Sequence, residues 1–285
     1  MAGKICMITG ANAGIGKSTA LGLAKKGATV LLVCRNRERG EEALRYIREE
    51  AGNDSVHLLL ADLASQRSIR QLVADFKTRY SALHVLINNA GVLPPTRMIT
   101  EDGLEMQFAV NYLAPFLLTN LSLDILTASA PARVINVSAS YHKESSSINF
   151  DDLQTGQEAY DARKVYAWTK LANIMFTYEL ARRLRETSVT VNCLHPGVIE
   201  TRLMHDFING TSPLSEERMA IVKSMTIGLE EGASTSLYLA TAQEPEGVSG
   251  KYFDKQKAVP SSEASYDETA SRRLWMLSEN ILQRA

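Results

Sequence analysis

A tyrosine and a lysine lie four residues apart in the stretch VYAWTKLAN, residues 165–173, as Tyr166 and Lys170. On a helix, this spacing places both side chains on one face. A free phenol has a pKa of about 10, so a nearby ammonium group, which favours the phenolate, would help it to exchange a proton at neutral pH. The pair therefore predicts an acid/base unit, although the same spacing also occurs on ordinary amphipathic helices.

A second stretch, TGANAGIGKS at residues 9–18, could hold a phosphate group. It lies between an apolar run and a run of helix formers, so its glycines allow a tight turn into a helix whose free N–H groups attract an anion. The Gly-x-x-x-Gly-x-Gly spacing differs from the common Gly-x-Gly-x-x-Gly, and glycine turns also arise for purely structural reasons. The stretch predicts that the pyrophosphate of a dinucleotide lies on Gly10, Asn12, Ala13, Gly14, Ile15 and Gly16.

The second apolar run ends in arginine, in LLVCRNRERG at residues 31–40. In NAD-selective βαβ sheets, an acidic residue at this place binds the 2′-hydroxyl of the ribose. A guanidinium group can instead form two hydrogen bonds to a 2′-phosphate. Arg35, Asn36 and Arg37 therefore predict NADP(H) as the cofactor, and the alternative is a solvated start of a helix.

Six motifs occur in a fixed order over most of the chain. They are TGANAGIG at 9–16, NNAG at 88–91, FAVNYLAPFLLTN at 108–120, INVSAS at 135–140, YAWTK at 166–170 and HPGVIET at 195–201. As a set they are specific, and with them the sequence resembles the short-chain dehydrogenase/reductase family. The stretches KLANIMFTYELARRL, VTVNCLHPGV and EGVSGKYF are similar to the retinol dehydrogenase-like branch of that family.

The resemblance implies a role for each motif. Tyr166 would be the general acid/base, Lys170 would lower its pKa and hold the nicotinamide ribose, and Asn111 would keep a water in a proton relay to that lysine. A serine after the fifth strand would hydrogen-bond the substrate oxygen. Besides Tyr166, Lys170 and the residues already given, the cofactor contacts implied are Asp62, Leu63, Asn89, Ala90, Gly91, Pro196, Gly197, Val198 and Thr201.

The serine motif departs from the family pattern. Relatives usually carry two adjacent serines and use the second, whereas this chain has Ser138, Ala139 and Ser140. An ungapped comparison places alanine at the catalytic position. One inserted residue at the end of the strand would place Ser140 there, and the INFDDL stretch that follows keeps its usual distance from Ser140. We therefore favour Ser140 over Ser138 as the catalytic serine.

The elements that must position these residues are short apolar runs alternating with helical stretches. The runs are 4–9, 29–34, 56–60, 83–88, 133–138 and 189–194, with a further one at 250–254, and the helical stretches are 17–26, 37–51, 66–80, 104–129, 161–186 and 270–282. Nearly unbroken apolar runs are typical of strands covered on both faces. The pattern predicts an α/β fold, a Rossmann-type doubly wound parallel sheet of about seven strands flanked by helices. Residues 1–285 would form one dinucleotide-binding and catalytic domain, in which 202–227 is a substrate lid or an ordinary surface insertion.

Composition and charge exclude several classes of partner. The chain of 285 residues is 45% hydrophobic, which is enough for one sizeable core. Its 31 Lys and Arg nearly balance 32 Asp and Glu, so no net charge draws it to nucleic acid or to an anionic membrane. Three cysteines in or beside apolar runs indicate buried thiols in a reducing compartment, and five histidines show no metal-ligand spacing. We expect a cytoplasmic protein without an integral membrane segment, or one trimmed of the N-terminal anchor that many members of the branch carry.

These observations and the resemblance together predict an enzyme. It would be an NADP(H)-dependent oxidoreductase that transfers a hydride between nicotinamide and a hydrophobic aldehyde, ketone or alcohol. Two alternatives stay open, a catalytically weak regulatory protein that binds NADP(H) and a reductase of C=C or C=N bonds. The substrate and the direction of the reaction are also open. The resemblance further implies a homodimer or homotetramer formed through the helices of Asn111 and Tyr166.

Overall fold

The computed structural model describes residues 1–156, 160–209 and 214–283. The strands in these ranges are β1 Ile5–Thr9, β2 Thr29–Cys34, β3 Val56–Leu60, β4 Val85–Asn88, β5 Ala132–Val137, β6 Val189–His195, β7 Val198–Ile199, β8 Thr226–Ile227, β9 Tyr252–Asp254 and β10 Lys257–Val259. The α-helices are α1 Gly14–Lys25, α2 Arg37–Ala51, α3 Gln66–Arg79, α4 Ala114–Leu121, α5 Leu123–Ala128, α6 Ala162–Arg183, α7 Arg202–Ile208, α8 Glu216–Ser224, α9 Leu229–Thr241 and α10 Glu268–Gln283. A π-helix spans Phe108–Leu113, and 3₁₀ helices span Ser140–Glu144 and Glu263–Tyr266.

Eight of the described strands form one sheet, in the order β10-β9-β6-β5-β4-β1-β2-β3. Its neighbours are parallel except β9 and β10, which are antiparallel. The predicted Rossmann-type doubly wound sheet is thus confirmed, with one strand more than predicted. The additional strand, β10, follows a two-residue turn at Lys255 and Gln256, whose φ angles are 47° and 64°. Such turns usually carry glycine or asparagine, so these residue types gave no signal of a hairpin.

Both faces of the sheet are covered, which explains the nearly unbroken apolar runs. Residues that alternate along a strand point to opposite faces. Met7 of β1 and Leu31 of β2 pack on the face that α3, α4 and α6 cover. Ile8 and Leu32 pack on the other face, against α1, α2 and α9. The short β7 and β8 pair with each other outside this sheet.

Local signals fix the ends of several helices. Asn36 Oδ1 accepts a hydrogen bond of 2.9 Å from Arg39 N at the start of α2, and Gly52, with a φ of 58°, ends that helix. Asp161 accepts hydrogen bonds from Arg163 N and Lys164 N at the start of α6. These caps explain why the predicted bounds of α2 and α6 differ little from the observed ones.

The stretch 104–129, predicted as one helix, is interrupted. It contains the π-helix of Phe108–Leu113 followed by α4 and α5. In a continuous α-helix, the N–H group of residue 115 would donate a hydrogen bond to the Asn111 carbonyl. Pro115, in the first turn of α4, has no N–H group. The interruption therefore lies at Asn111 and leaves its carbonyl oxygen without that partner.

The final helix, α10, covers the outer side of α4 and α6. Trp275 lies edge-on to Phe116 of α4, with ring centroids 4.7 Å apart, and 5.8 Å from the Phe176 ring of α6. The Tyr112 hydroxyl also lies 2.8 Å from Ser278 Oγ. Residues Ala114 to Thr119 of α4 are buried by contacts within the chain.

Candidate active site

The sheet reverses its direction of winding between β1 and β4, and the candidate site lies at that point. Both strands are parallel, so their carboxyl ends meet at one edge of the sheet and the loops that follow diverge. Thr9 ends β1, and Asn88 ends β4. Thr9 Oγ1 accepts hydrogen bonds from Asn89 N (2.9 Å) and Ala90 N (3.0 Å), and Asn89 Nδ2 donates to Thr9 O. The NNAG stretch thereby fixes the start of the glycine turn.

The glycine turn has the geometry of a phosphate cradle. Gly10 and Gly14 have φ angles of 67° and 55°, which favour glycine. A Cβ atom added to Gly16 would collide with the Gly10 carbonyl oxygen, so this position also needs glycine. Helix α1 begins after Ala13 without a hydrogen bond from a side chain to its first N–H groups. The turn therefore fits the pyrophosphate of a dinucleotide, which those N–H groups would bind.

The residues predicted to select the cofactor lie at the ends of β2 and β3. Arg35 Nη1 lies 3.6 Å from Asp62 Oδ2, and the two side chains are 72% and 42% exposed. Asp62 Oδ1 also accepts a hydrogen bond from Ala64 N. Arg37 lies 3.5 Å from Glu41 of its own helix. An exposed guanidinium held by one weak ion pair is available to an anionic group at this edge.

Tyr166 and Lys170 lie together on α6, as their spacing predicts. Both are buried, and Lys170 Nζ lies 5.5 Å from the centre of the Tyr166 ring. Nζ donates a hydrogen bond of 3.0 Å to Val137 O at the end of β5. Burial lowers the pKa of Lys170 from 10.5 to about 8. Burial also raises the pKa of Tyr166 above its ordinary value, opposite to the direction expected from the neighbouring lysine.

Asn111 is fully buried in the π-helix and is held by three hydrogen bonds of its side chain. Its Oδ1 accepts from Val92 N, and its Nδ2 donates to Val92 O and Thr169 Oγ1. Its carbonyl oxygen, which Pro115 frees, accepts from Asn173 Nδ2 at 3.2 Å. Asn173 lies one helical turn after Lys170, and its Oδ1 is buried without a hydrogen-bond partner among the described residues. The sequence prediction missed Asn173, although Pro115 was a usable signal for a free carbonyl.

The serine motif forms the end of β5 and the turn after it. Ser138 is buried, and its Oγ donates a hydrogen bond of 2.9 Å to Lys170 O. Ser140 is exposed, and its N–H group donates to His195 Nδ1. Ala139 packs in one apolar cluster with Tyr166. Within the described residues, no hydrogen bond joins either serine to the Tyr166 hydroxyl, and the choice of Ser140 stays a prediction.

A cavity of about 470 Å³ opens beside Tyr166 and Lys170. Of the residues predicted for the site, it is lined by Ile15, Asn89, Gly91, Ser138, Ser140, Tyr166, Lys170, Pro196, Gly197, Val198 and Thr201. The other predicted residues lie outside this lining. Gly10, Asn12, Ala13, Gly14 and Gly16 lie in the turn beside it and the start of α1, and Ala90 follows β4. Arg35, Asn36, Arg37, Asp62 and Leu63 follow β2 and β3, and Asn111 lies behind the cavity in the π-helix. Asn36 and Thr201 also cap α2 and α7.

The remaining wall of the cavity is mainly apolar, and much of it comes from the segment predicted as a lid. Tyr141 lies edge-on to Phe207 with ring centroids 4.9 Å apart, and 6.4 Å from the ring of Tyr166. The segment predicted as a lid contributes Leu203, Met204, Phe207, Leu214, Arg218, Ile221 and Val222. Residues 210–213 of that segment lie outside the described residues. No local pattern around Tyr141 distinguished it from an ordinary turn residue.

These features define a dinucleotide-dependent oxidoreductase with a Tyr–Lys pair beside its nucleotide cradle. The sequence model for short chain dehydrogenases matches residues 4–211, and the chain belongs to the short-chain dehydrogenase/reductase family. The family uses a nicotinamide cofactor and acts on alcohol and carbonyl groups.

Within the family, the chain is retinol dehydrogenase-like. It is 47% identical to human retinol dehydrogenase 13 over 283 residues, which cover 98% of this chain and 85% of that relative. It is 44% identical to human retinol dehydrogenase 14 over 295 residues, covering 98% of this chain and 86% of that relative. The crystal structure of an uncharacterized protein from Mycobacterium Paratuberculosis superposes with a TM-score of 0.79 at 31% identity, over 99% of this chain and 94% of that one.

Throughout residues 1–156, 160–209 and 214–283, no helix combines the length and the apolar character that a bilayer span requires.

Proposed function

We propose that this protein is an NADP(H)-dependent oxidoreductase that interconverts a hydrophobic aldehyde or ketone and the corresponding alcohol. The proposal rests on one observation. The buried Tyr166 and Lys170 line a cavity that also reaches Ile15, in the first turn of α1, and its remaining wall is mostly apolar. A nicotinamide ring and an apolar carbonyl compound could therefore meet beside one phenol and one ammonium group.

When bound, NADPH supplies the hydride. The pKa of Tyr166 is raised by burial, so the phenol keeps its proton at neutral pH and can give it to the carbonyl oxygen of the substrate. Lys170, with a pKa of about 8, is mostly protonated at pH 7 and stabilises the phenolate that remains. The hydrogen bond from Lys170 Nζ to Val137 O holds the ammonium group in position. The protonation states favour reduction of a carbonyl at neutral pH.

Replacement of the phenol tests the assignment. Tyr166→Phe removes the proton donor and keeps the ring, so we expect turnover of NADPH with a panel of long-chain aldehydes, retinoids and small ketones to fall by at least about a thousandfold. Binding of NADPH, followed by fluorescence titration, should remain. Tyr80→Phe, at the end of α3, loses a phenol remote from the cavity and is the matched control. A Tyr166→Phe variant with a near-normal rate would refute the proposed role.

The preference for NADP(H) rests on Arg35 and is a separate proposal. We propose that the exposed guanidinium of Arg35 binds the 2′-phosphate, because its only ion pair among the described residues is the 3.6 Å contact with Asp62. Arg35→Ala should lower the ratio of kcat/KM with NADPH to that with NADH by at least about tenfold. Arg45→Ala, an exposed arginine on α2, should leave the ratio unchanged. A wild-type preference for NADH would contradict this proposal alone.

One observation favours a second candidate, a regulatory protein that binds NADP(H) with little turnover. Among the described contacts, Tyr166 belongs to an apolar cluster against which Ala139 packs, and it forms no hydrogen bond with Ser138 or Ser140. Tight NADPH binding without oxidation of NADPH by any compound of the panel would support this candidate. Turnover that requires Tyr166 would exclude it.

We further propose that α7 and α8 act as a lid over the substrate. Phe207 of α7 and Ile221 of α8 line the cavity, and no residue of α8 is buried. A weakly packed helix of this kind opens at a low free-energy cost. Trypsin should therefore cut at Arg218 and Lys223 of α8, more slowly when NADPH and an aldehyde are present. An unchanged rate of cutting would contradict the lid.

We also propose that the chain does not dimerise through α4 and α6. The α10 helix covers these helices, and α6 is buried over most of its length. An extended pairing surface on them would require α10 to leave. Sedimentation analysis should give a monomer, and a dimer in which chemical crosslinks join α4 or α6 of the two chains would contradict the proposal.

A further inference from the structure

Two imidazole rings bracket the peptide bond between Ala139 and Ser140. His142 Nδ1 lies 2.7 Å from Ala139 O, and Ser140 N lies 3.2 Å from His195 Nδ1. A carbonyl oxygen can only accept and a backbone N–H can only donate, so His142 donates and His195 accepts. Both polar groups of one peptide unit are thereby fixed, in the segment that lines the cavity.

The same contacts define the tautomers of both rings. His142 Nε2 accepts a hydrogen bond of 3.0 Å from Ser262 N, so His142 carries its single proton on Nδ1. His195 Nδ1 also faces Gly197 N at 3.4 Å, so His195 carries its proton on Nε2. A protonated imidazole has no acceptor. The arrangement therefore requires both rings to be neutral.

The surroundings of the rings keep them neutral at physiological pH. His142 is fully buried, and its ring lies edge-on to Tyr252 at 5.1 Å. Burial is the main cause that lowers the pKa of each histidine. The charge of Lys143 acts on both rings. His195 is also affected by Asp254, His142 and Lys255. Asp254 favours the protonated form of His195, whereas the lysines and His142 oppose it.

We propose that His142 and His195 are positioning residues that hold the Ala139–Ser140 peptide in the orientation required for turnover. The peptide sets how Ala139 packs against the apolar cluster that contains Tyr166 and where Ser140 lines the cavity. A displacement of about 1 Å at such a place can cost up to about a hundredfold in rate. This inference rests on the proposed oxidoreductase function.

The test compares two replacements of His195. Asparagine Oδ1 can accept from Ser140 N as Nδ1 does, and it does not titrate, whereas leucine has no acceptor. We expect His195→Leu to lower kcat/KM by at least about tenfold and His195→Asn by less than about threefold. Because burial lowers the pKa of both imidazoles, wild-type kcat/KM should decline only at a pH lower than the ordinary imidazole pKa of about 6.5, and His195→Asn should reduce that decline. A folded His195→Leu with the wild-type rate and pH profile would overturn the inference, as would equal losses in both variants.

His142 provides an independent pair of variants. His142→Asn retains a side-chain donor, Nδ2, for Ala139 O, whereas His142→Leu leaves Ala139 O with only the backbone N–H of residue 142 and removes the acceptor of Ser262 N. We expect the asparagine variant to retain more activity at saturating NADPH than the leucine variant. His57→Leu, on β3, is the control for the loss of a remote imidazole. If the leucine variant does not fold, the two variants of His195 decide the question.

A second readout does not depend on turnover. Long-range ¹H–¹⁵N correlation spectra of the wild-type imidazoles should show His142 protonated on Nδ1 and His195 on Nε2 at about pH 7.5. Either opposite tautomer, or a cationic ring, would overturn the inference even in an active enzyme. If the wild type reduces no carbonyl compound, the proposed function is wrong. The spectra then still test whether His142 and His195 hold the Ala139–Ser140 peptide.

Discussion

We expect the buried charge of Lys170 to make the fold less stable, and removal of this lysine tests the expectation. Lys170→Met keeps the length of the side chain without the charge. A pKa lowered by burial from 10.5 to about 8 corresponds to about 3 kcal/mol of stability lost while the lysine is protonated, at about 1.4 kcal/mol per tenfold change. The variant also removes the donor to Val137 O, which costs about 1–2 kcal/mol. We expect Lys170→Met to be about 1–2 kcal/mol more stable than the wild type at about pH 7, and inactive.

The pH dependence of the stability difference distinguishes the effect of the buried charge from an effect of better packing in the variant. The pKa of Lys170 is lower in the folded state, so the folded protein binds fewer protons than the unfolded chain between about pH 8 and 10.5. The stability of the wild type should therefore rise relative to the variant as the pH increases through this range. Urea unfolding without added nucleotide, at about pH 7 and about pH 9.5, measures the difference, and the partial ionisation of tyrosines in the unfolded chain at the higher pH is common to both proteins.

The control for this experiment is Lys164→Met, an exposed lysine on the same helix. It should change the free energy of unfolding by less than about 0.5 kcal/mol at either pH. A Lys170→Met variant that is less stable than the wild type at pH 7, or whose difference from it does not depend on pH, would refute the reasoning.

Three further predictions concern the turn, the π-helix and the final helix. Gly16→Ala should abolish NADPH binding in a titration or prevent folding, because its Cβ meets the Gly10 carbonyl oxygen in the turn. Asn173→Leu should lower kcat by about tenfold with little change in the Kd of NADPH, because the Asn111 carbonyl loses its donor and shifts. Trp275→Ala should lower the free energy of unfolding by about 3–5 kcal/mol in urea, since the indole is buried among aromatic rings.

The variants of Gly16 and Trp275 each have a matched control. Gly52→Ala, where a Cβ meets nothing within 4 Å, should cost only about 1 kcal/mol, for its left-handed conformation. Met276→Ala, beside Trp275 and 54% exposed, should change stability by less than about 0.5 kcal/mol. If Asn173→Leu retains the wild-type kcat, the Asn111 carbonyl does not need the hydrogen bond from Asn173. If Trp275→Ala and Met276→Ala lower the free energy of unfolding equally, α10 does not pack closely against the aromatic rings.

The sheet and the position of the glycine turn after β1 were predictable because local patterns encode them. Apolar runs that are covered on both faces mark the parallel strands, and the bounds of β2 and β3 agree with the predicted runs. The glycine turn must follow the first strand, and the four-residue spacing of Tyr166 and Lys170 places them on one helix face. The predicted single helix at 104–129 was wrong, because Pro115 and the π-helix interrupt it at Asn111. Strand β10 was missed because its turn carries neither glycine nor asparagine.

The sequence by itself determined which strands and helices form, where a phosphate can lie, and which two side chains share a helix face. These properties depend on residues close together in the chain, whose periodicity and conformational preferences are fixed locally. Only the tertiary structure decided that Asn173 supports Asn111, that His142 and His195 hold one peptide, and that α10 covers α4 and α6. It also decided the direction in which the pKa of Tyr166 shifts, because burial outweighs the effect of the neighbouring ammonium group. Contacts between residues far apart in the chain, and the loss of water around them, exist only once the chain has folded.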